Sequence, residues 1–173
     1  MVGYSGQYHA ASSLIIRDLR DGNLEWIRVT DPTAGHVDDL IIGGRGRVDA
    51  YQVKWSQYAG VISFNDLVTS PNGGLCLIAQ LADGWQRLRR RFLNDRVVVH
   101  LLTNNAASSS AKVPTGELAP VPAHFSAFMA QAWQPARVNL SKKLEPKVSD
   151  GWQVAWKELE RASGLSGKFF WTL

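Results

Sequence analysis

Residues 36–55 read HVDDLIIGGRGRVDAYQVKW. Two β-prone runs, DDLII and DAYQVKW, flank the glycine-rich GGRGR, whose glycines supply the positive φ that a tight turn needs. The stretch is a hairpin. Asp38 and Asp39 stand at the mouth of its first strand. Gln52 and Lys54 are two residues apart on the second, so both side chains leave the same face while Val53 points the other way, into the core. Acid, amide and lysine on one hairpin are a usable set for metal and phosphate chemistry, and they are also ordinary decoration for a solvated strand pair. The rest of the chain decides between the two.

Working outward, the apolar pattern of Leu14, Ile15 and Leu19 predicts a helix over residues 6–20, broken by RDGN. LEWIRV alternates as a strand, and TDPTAG is a loop. After the hairpin, FNDLVTSPNGG reads as a short helical turn and a loop. Ile78, Leu81, Trp85, Leu88 and Phe92 then repeat at steps of three and four, the stripe of an amphipathic helix. RVVVHLLTN is a continuous apolar run, as in a buried strand. TNN at 103–105 is expected to be a turn, and the serines at 108–110 a flexible loop. Phe125, Phe128, Met129, Ala132 and Trp133 mark another helix, and Trp152, Trp156 and Leu159 a last one. The order is α-β-β-β-α-β followed by helices: an α/β core with a mixed sheet and additional C-terminal helices.

The chain has 173 residues, 45% of them apolar and 20% charged, which suits one globular domain. Its one cysteine, Cys76, lies between Leu75 and Leu77 as a small hydrophobe and excludes an internal disulfide. No apolar run approaches the roughly 18 residues of a membrane span, and no signal pattern opens the chain, so a cytoplasmic protein is expected. The net charge of +4 favours a polyanionic partner. Arg45 and Arg47 in GGRGR, with Arg87, Arg89, Arg90 and Arg91 in RLRRRF, are candidate phosphate contacts, or else a turn and a solvated helix face. A glycine-rich phosphate loop, a Cys/His metal cluster and a nucleophile elbow are all missing, which argues against a small metabolic enzyme.

The hairpin acquires its meaning from this order of elements. GYSGQY, carrying Gly3 and Gln7, opens the first helix; DDLII and YQVKW follow; LLTNN ends the next strand. Over residues 3–105 these stretches resemble the Mrr-like double-stranded DNA endonuclease domains of the PD-(D/E)xK superfamily. Such domains stand at the N-termini of bacterial antiphage proteins, the CBASS-type effectors and the Avs-type STAND NTPases. The resemblance implies a restriction-endonuclease-like core and Mg²⁺-dependent cleavage of double-stranded DNA, with Mn²⁺ as a substitute. It implies Asp39 and Gln52 as metal ligands, Asp38 as the alternative carboxylate, and Lys54 as the catalytic lysine. Asp39 is favoured because it is in phase with Ile41. Gln7, Glu25 and His36 are supporting candidates. Gln52 stands where Glu is commonest, and Gln7 where relatives often carry Glu, which weakens the case for a second metal.

One nuclease-like domain over residues 1–173 is therefore expected, its core at 3–105 and a helical part at 119–173. The hydrophobic finish KFFWTL suggests the N-terminal piece of a larger protein whose regulatory C-terminal domain lies beyond. At least a dimer is expected when active, because one such site cuts one strand. The alternative is a catalytically inactive nucleic-acid-binding or protein-interaction module on the same fold.

Overall fold

In the computed structural model, residues 3–70, 72–118, 122–141 and 147–165 are described. In chain order the elements are α1 (Gly3–Arg20), β1 (Trp26–Val29), a 3₁₀ turn (Pro32–Ala34), β2 (Leu40–Gly44), β3 (Arg47–Lys54), β4 (Val61–Ile62), α2 (Phe64–Val68), α3 (Leu77–Arg91), β5 (Arg96–Thr103), β6 (Ala106–Ala107), α4 (Phe125–Phe128), a π turn (Met129–Trp133), α5 (Gln134–Ser141), a second 3₁₀ turn (Asp150–Trp152) and α6 (Gln153–Ser163). The expected α-β-β-β-α-β order is present, with α2 and the β4–β6 pair added to it. That pair escapes a periodicity reading because each strand has only two residues. Expectations that rest on 119–121, 142–146 and 166–173, the KFFWTL finish included, lie outside the described residues.

Contacts divide the chain into two compact units. Residues up to Gly60, together with Gln80–Asn105, form the first; Val61–Ala79 and the residues from Ala106 onward form the second. The segment 61–79 thus leaves the 3–105 core expected from the sequence. The reason is Phe64, which is fully buried against Phe125 and Phe128, ring centroids 6.3 and 5.9 Å away. A capping box, Ser63 with Asp66, starts its helix.

In the first unit the sheet order is β1-β2-β3-β5. The first three strands form an antiparallel meander, and β5 runs parallel to β3 over the full register Arg47↔Arg96 to Lys54↔Thr103. The hairpin closes through Arg45 and Gly46, the latter at φ +66°, where a side chain would be strained. On one sheet face Leu40, Ile42 and Tyr51 are buried against Ala11, Leu14, Ile15 and Leu24, so this face is covered by α1. Each such fully buried aliphatic contributes about 1.5–3 kcal/mol. The other face carries Ile41, Val48, Ala50 and Gln52, and here Trp26 stacks on Phe92, just beyond α3. The N-terminal end of α1 comes so close to Trp55 that a Cβ on Gly6 would collide with the indole, which packs on the helix there and stays 38% exposed.

The second unit is built on aromatic contacts. Phe128 meets Trp152 edge-on at 5.6 Å, Trp133 lies 5.6 Å from Trp156, and the Trp152 indole N–H donates to Gln131. His124 caps the start of α4, its Nδ1 accepting from the Ala127 N–H. The serine run is not a loose loop at its start. Ser108 is buried, and its Oγ accepts from the N–H groups of Ser110 and Ala111, a local turn that a composition argument does not see.

Candidate functional site

The residues expected to form a site on the hairpin stand at the open end of β2 and β3. Leu40 lies opposite Tyr51, which sets Asp39 across from Gln52. Their side chains meet: Gln52 Nε2 donates to Asp39 Oδ2 at 2.6 Å, and the Val53 N–H donates to the same oxygen at 2.7 Å. Asp39 is thus on the sheet face of Ile41 and Gln52. Asp38 is half-buried and in phase with Leu40, on the α1 face. The main chain of both aspartates is held by the turn after β1, where Thr30 N–H points to Asp39 O at 3.5 Å and Asp31 N–H to Asp38 O at 3.1 Å. Thr30 adopts φ +54°, a left-handed conformation costing about 1 kcal/mol or more for a residue of this type.

Gln52 is only 7% exposed. Its Oε1 accepts no hydrogen bond among the described residues, and neither does Asp39 Oδ1. The fully buried side-chain atoms left without a partner do not include Oε1, so this oxygen is open to solvent at the strand end, where water or a ligand can reach it. Lys54 follows at the strand end, exposed and without an ion-pair partner among the described residues.

Among the described residues no three or more His, Cys, Asp or Glu side chains gather in a way that could hold a metal. A metal at this site would therefore have one carboxylate and one neutral oxygen from the chain. That set fits Mg²⁺, which keeps several waters and takes one or two protein oxygens plus phosphate. As the amide stands, its NH₂ faces Asp39. A half-turn of its last torsion would set Oε1 beside Oδ2 instead.

The supporting candidates fare differently. Glu25 precedes β1, where its N–H bonds Gly43 O, so it sits at the hairpin-turn end of the sheet, away from Asp39. Gln7 lies on α1 and His36 in the loop before β2, and neither makes a hydrogen bond to Asp39, Gln52 or Lys54. Arg45 and Arg47 are at the opposite end of β3, about 17 Å along the strand from Gln52. Arg47 is committed to Asp49 at 2.5 Å, Arg87 to Asp83 at 2.8 Å, and Arg91 to Asp31 at 3.2 Å with a further short bond to Thr33 Oγ1. Arg45 and Arg90 are exposed and free of partners among the described residues. The arginine run therefore divides into ion-paired and available members, a distinction that depends on acids distant in sequence.

Two polar groupings were missed by sequence reasoning. On the α1 face Asp49 is buried between Arg47 and His100, whose Nε2 lies 2.6 Å away; His100 stacks on Tyr51 with centroids 4.6 Å apart. Burial raises the Asp49 carboxyl, but the bonds from His100 and Arg47 outweigh it and hold the group below the usual carboxylate range. Burial likewise pushes the Tyr51 hydroxyl up, against the Arg17 bond that lowers it. The signal was an aspartate midway along an apolar strand. The second grouping is TNN: Asn104 exchanges bonds with Ser56 N and O, and Asn105 accepts from Gly60 N–H, so the two asparagines clamp the chain leaving β3.

No family model matches the chain, and no curated protein or solved structure matches it either.

Proposed function

We propose that the first unit is a metal-dependent endonuclease domain with a restriction-endonuclease-like core, acting on the phosphodiester bonds of double-stranded DNA through Asp39, Gln52 and Lys54. The observation that carries the proposal is the meeting of Asp39 and Gln52 at the strand ends, each with an unused acceptor oxygen, while an unpaired lysine stands two residues on. The topology is consistent with it, since three antiparallel strands and a fourth parallel to the third follow the expected order.

The residues divide the work. Asp39 and Gln52 would hold Mg²⁺, or Mn²⁺ in its place, by Oδ and Oε1. When bound, the ion supplies a Lewis acid for the phosphoryl oxygen and lowers the pKa of an attacking water. Lys54 orients that water and offsets the negative charge that grows on the phosphate. The Val53 N–H keeps the Asp39 carboxylate aimed, so the acid does not have to be ordered during the reaction. Arg45 and Arg90 are the available phosphate contacts. In the wider reading the domain is the effector of a bacterial antiphage protein in the cytoplasm.

A second reading has its own observation. Asp39 Oδ2 already takes two N–H groups, which is what a purely structural strand cap does. On that reading the fold is a catalytically inactive binding module. Plasmid incubated with the protein and Mg²⁺ or Mn²⁺, alongside folded Lys54→Ala, tests both. Cleavage lost in the variant supports the nuclease. Equal cleavage by both proteins removes Lys54 from the chemistry. Manganese binding measured by titration on wild type and Asp39→Ala separates a silent nuclease from a module that holds no metal.

A further inference from the structure

The edge strand β1 has β2 on one side and no strand on the other among the described residues. Exposed edges are usually blunted by charge, proline or a bulge. On the α1 face β1 offers Ile27 and Val29 instead, 43% and 56% exposed. They are the lateral neighbours of Ile42 and Leu40, the residues α1 covers.

Helix geometry extends the patch. At about 100° per residue, Leu14, Ala11 and Ile15 form the buried arc of α1. Arg17 flanks that arc on the β3 side, where it reaches Tyr51. Tyr8 and Leu19 flank it on the other side, above β1, with Ile16 beyond them. These three are 64%, 63% and 63% exposed. Because α1 has its N-terminal end near Trp55 and its C-terminal end near the hairpin turn, Leu19 lies toward Ile27 and Tyr8 toward Val29. Five large apolar side chains thus line one edge of the unit.

We propose that this edge is where a second copy of the chain docks, β1 against β1 across a two-fold axis, continuing the sheet from four strands to eight. Area favours a second copy as the occupant. The five side chains leave about 500 Å² per copy uncovered, so the pair would remove about 1,000 Å² before the rim is counted, the lower bound for a specific interface. Charge selects the register. A two-fold axis normal to the sheet pairs residues that share a face. Centred on Arg28, it would set two guanidinium groups against each other. Centred on Ile27, it sets Ile27 on its own copy and Arg28 beside the partner's Trp26, the type of ring Arg28 already covers at 5.4 Å within its own chain. That register brings apolar onto apolar at Ile27 and a cation onto an aromatic face at Arg28 and Trp26, with Val29 beside the partner's Glu25 at either end. The inference stands on exposure and register, independently of the nuclease assignment.

Sedimentation of the full chain over a range of micromolar concentrations is expected to show a monomer–dimer equilibrium. Ile27→Lys, which would bring two ammonium groups to the axis, should raise the dissociation constant more than about tenfold with an unchanged circular dichroism spectrum. Leu93→Lys, at an exposed site elsewhere in the unit, should leave it alone. A second measurement does not depend on how Ile27→Lys folds. In a Cys76→Ala background, Ile27→Cys places two thiols with Cα atoms about 5.5 Å apart, within disulfide range, and mild oxidation should yield a covalent dimer. A chain that stays monomeric throughout and forms no such dimer overturns the proposal and leaves the edge to a different partner. Efficient cross-linking through Arg28→Cys rather than Ile27→Cys overturns the register.

Discussion

Asp49 and Gln52 lie three residues apart on β3, both buried, on opposite faces of the sheet. Asp49 is saturated: Arg47 and His100 satisfy its oxygens, and Tyr51 stacks on the histidine. Gln52 gives its NH₂ to Asp39 and keeps an acceptor unused. Both residues break an apolar strand, so composition alone ranks them together. Saturation separates them. A polar group whose partners are all supplied by the protein contributes to the fold, whereas one left with spare capacity at a strand end is available to a ligand.

The largest test of that contrast is catalytic. Lys54→Ala is expected to lower DNA cleavage at least about a hundredfold, the usual loss when one charge-stabilising donor is removed. Its melting temperature should not change, because the side chain is exposed and unpaired. Asp39→Ala should lose cleavage and metal binding together, and also some stability, because the Val53 N–H is orphaned. Asp49→Ala should do the reverse: lose about 1–3 kcal/mol of stability, because His100 is left without its partner while the half-exposed Arg47 returns to water, with per-folded-molecule cleavage and metal affinity unchanged. Loss of metal binding in Asp49→Ala with the fold intact would break the comparison.

Gln52→Glu sharpens it. Without metal the variant sets a second carboxylate against Asp39 and should be less stable by about 1–3 kcal/mol. Added Mg²⁺ should restore stability, raising its melting temperature by more than that of wild type. No differential rise would mean that the pair is only a strand cap.

Acid should act on the saturated groups. Asp31, bonded by Thr33 and paired with Arg28 and Arg91, has its carboxyl lowered to about 2, and Asp49 is lowered as well. A carboxylate depressed in the fold contributes stability that is present above its unfolded pKa, near 4, and is lost as pH falls through the folded value. Unfolding free energy should therefore decline between about pH 4 and about 2. Asp31→Asn, which retains the capping oxygen, should flatten part of that decline in a urea titration. The smallest effect is on affinity: Arg45→Ala and Arg90→Ala should each lower the salt slope of DNA binding by about one unit, while Arg91→Ala should show chiefly as lost stability through Asp31.

The sequence alone was sufficient for every element whose pattern is long and periodic. α1, the hairpin and α3 fall where apolar spacing places them, because a helix or strand that buries one face must write that face at its own period. β5 falls on its continuous apolar run, but as an edge strand it is half-buried except at the buried Val97 and the exposed Arg96. The shared face of Gln52 and Lys54 was equally legible, since strand alternation leaves little freedom, whereas the register that sets Asp39 across from Gln52 follows from the turn at Arg45 and Gly46. Only the tertiary structure decided the rest. The allegiance of Phe64 to the C-terminal aromatics depends on rings some sixty residues away. The commitment of Arg91 depends on Asp31, of His100 on Asp49, and of the two asparagines on the chain after β3. In each case the partner is brought by the fold and not by spacing, so a local pattern can name a polar group but cannot say whether its capacity is already used.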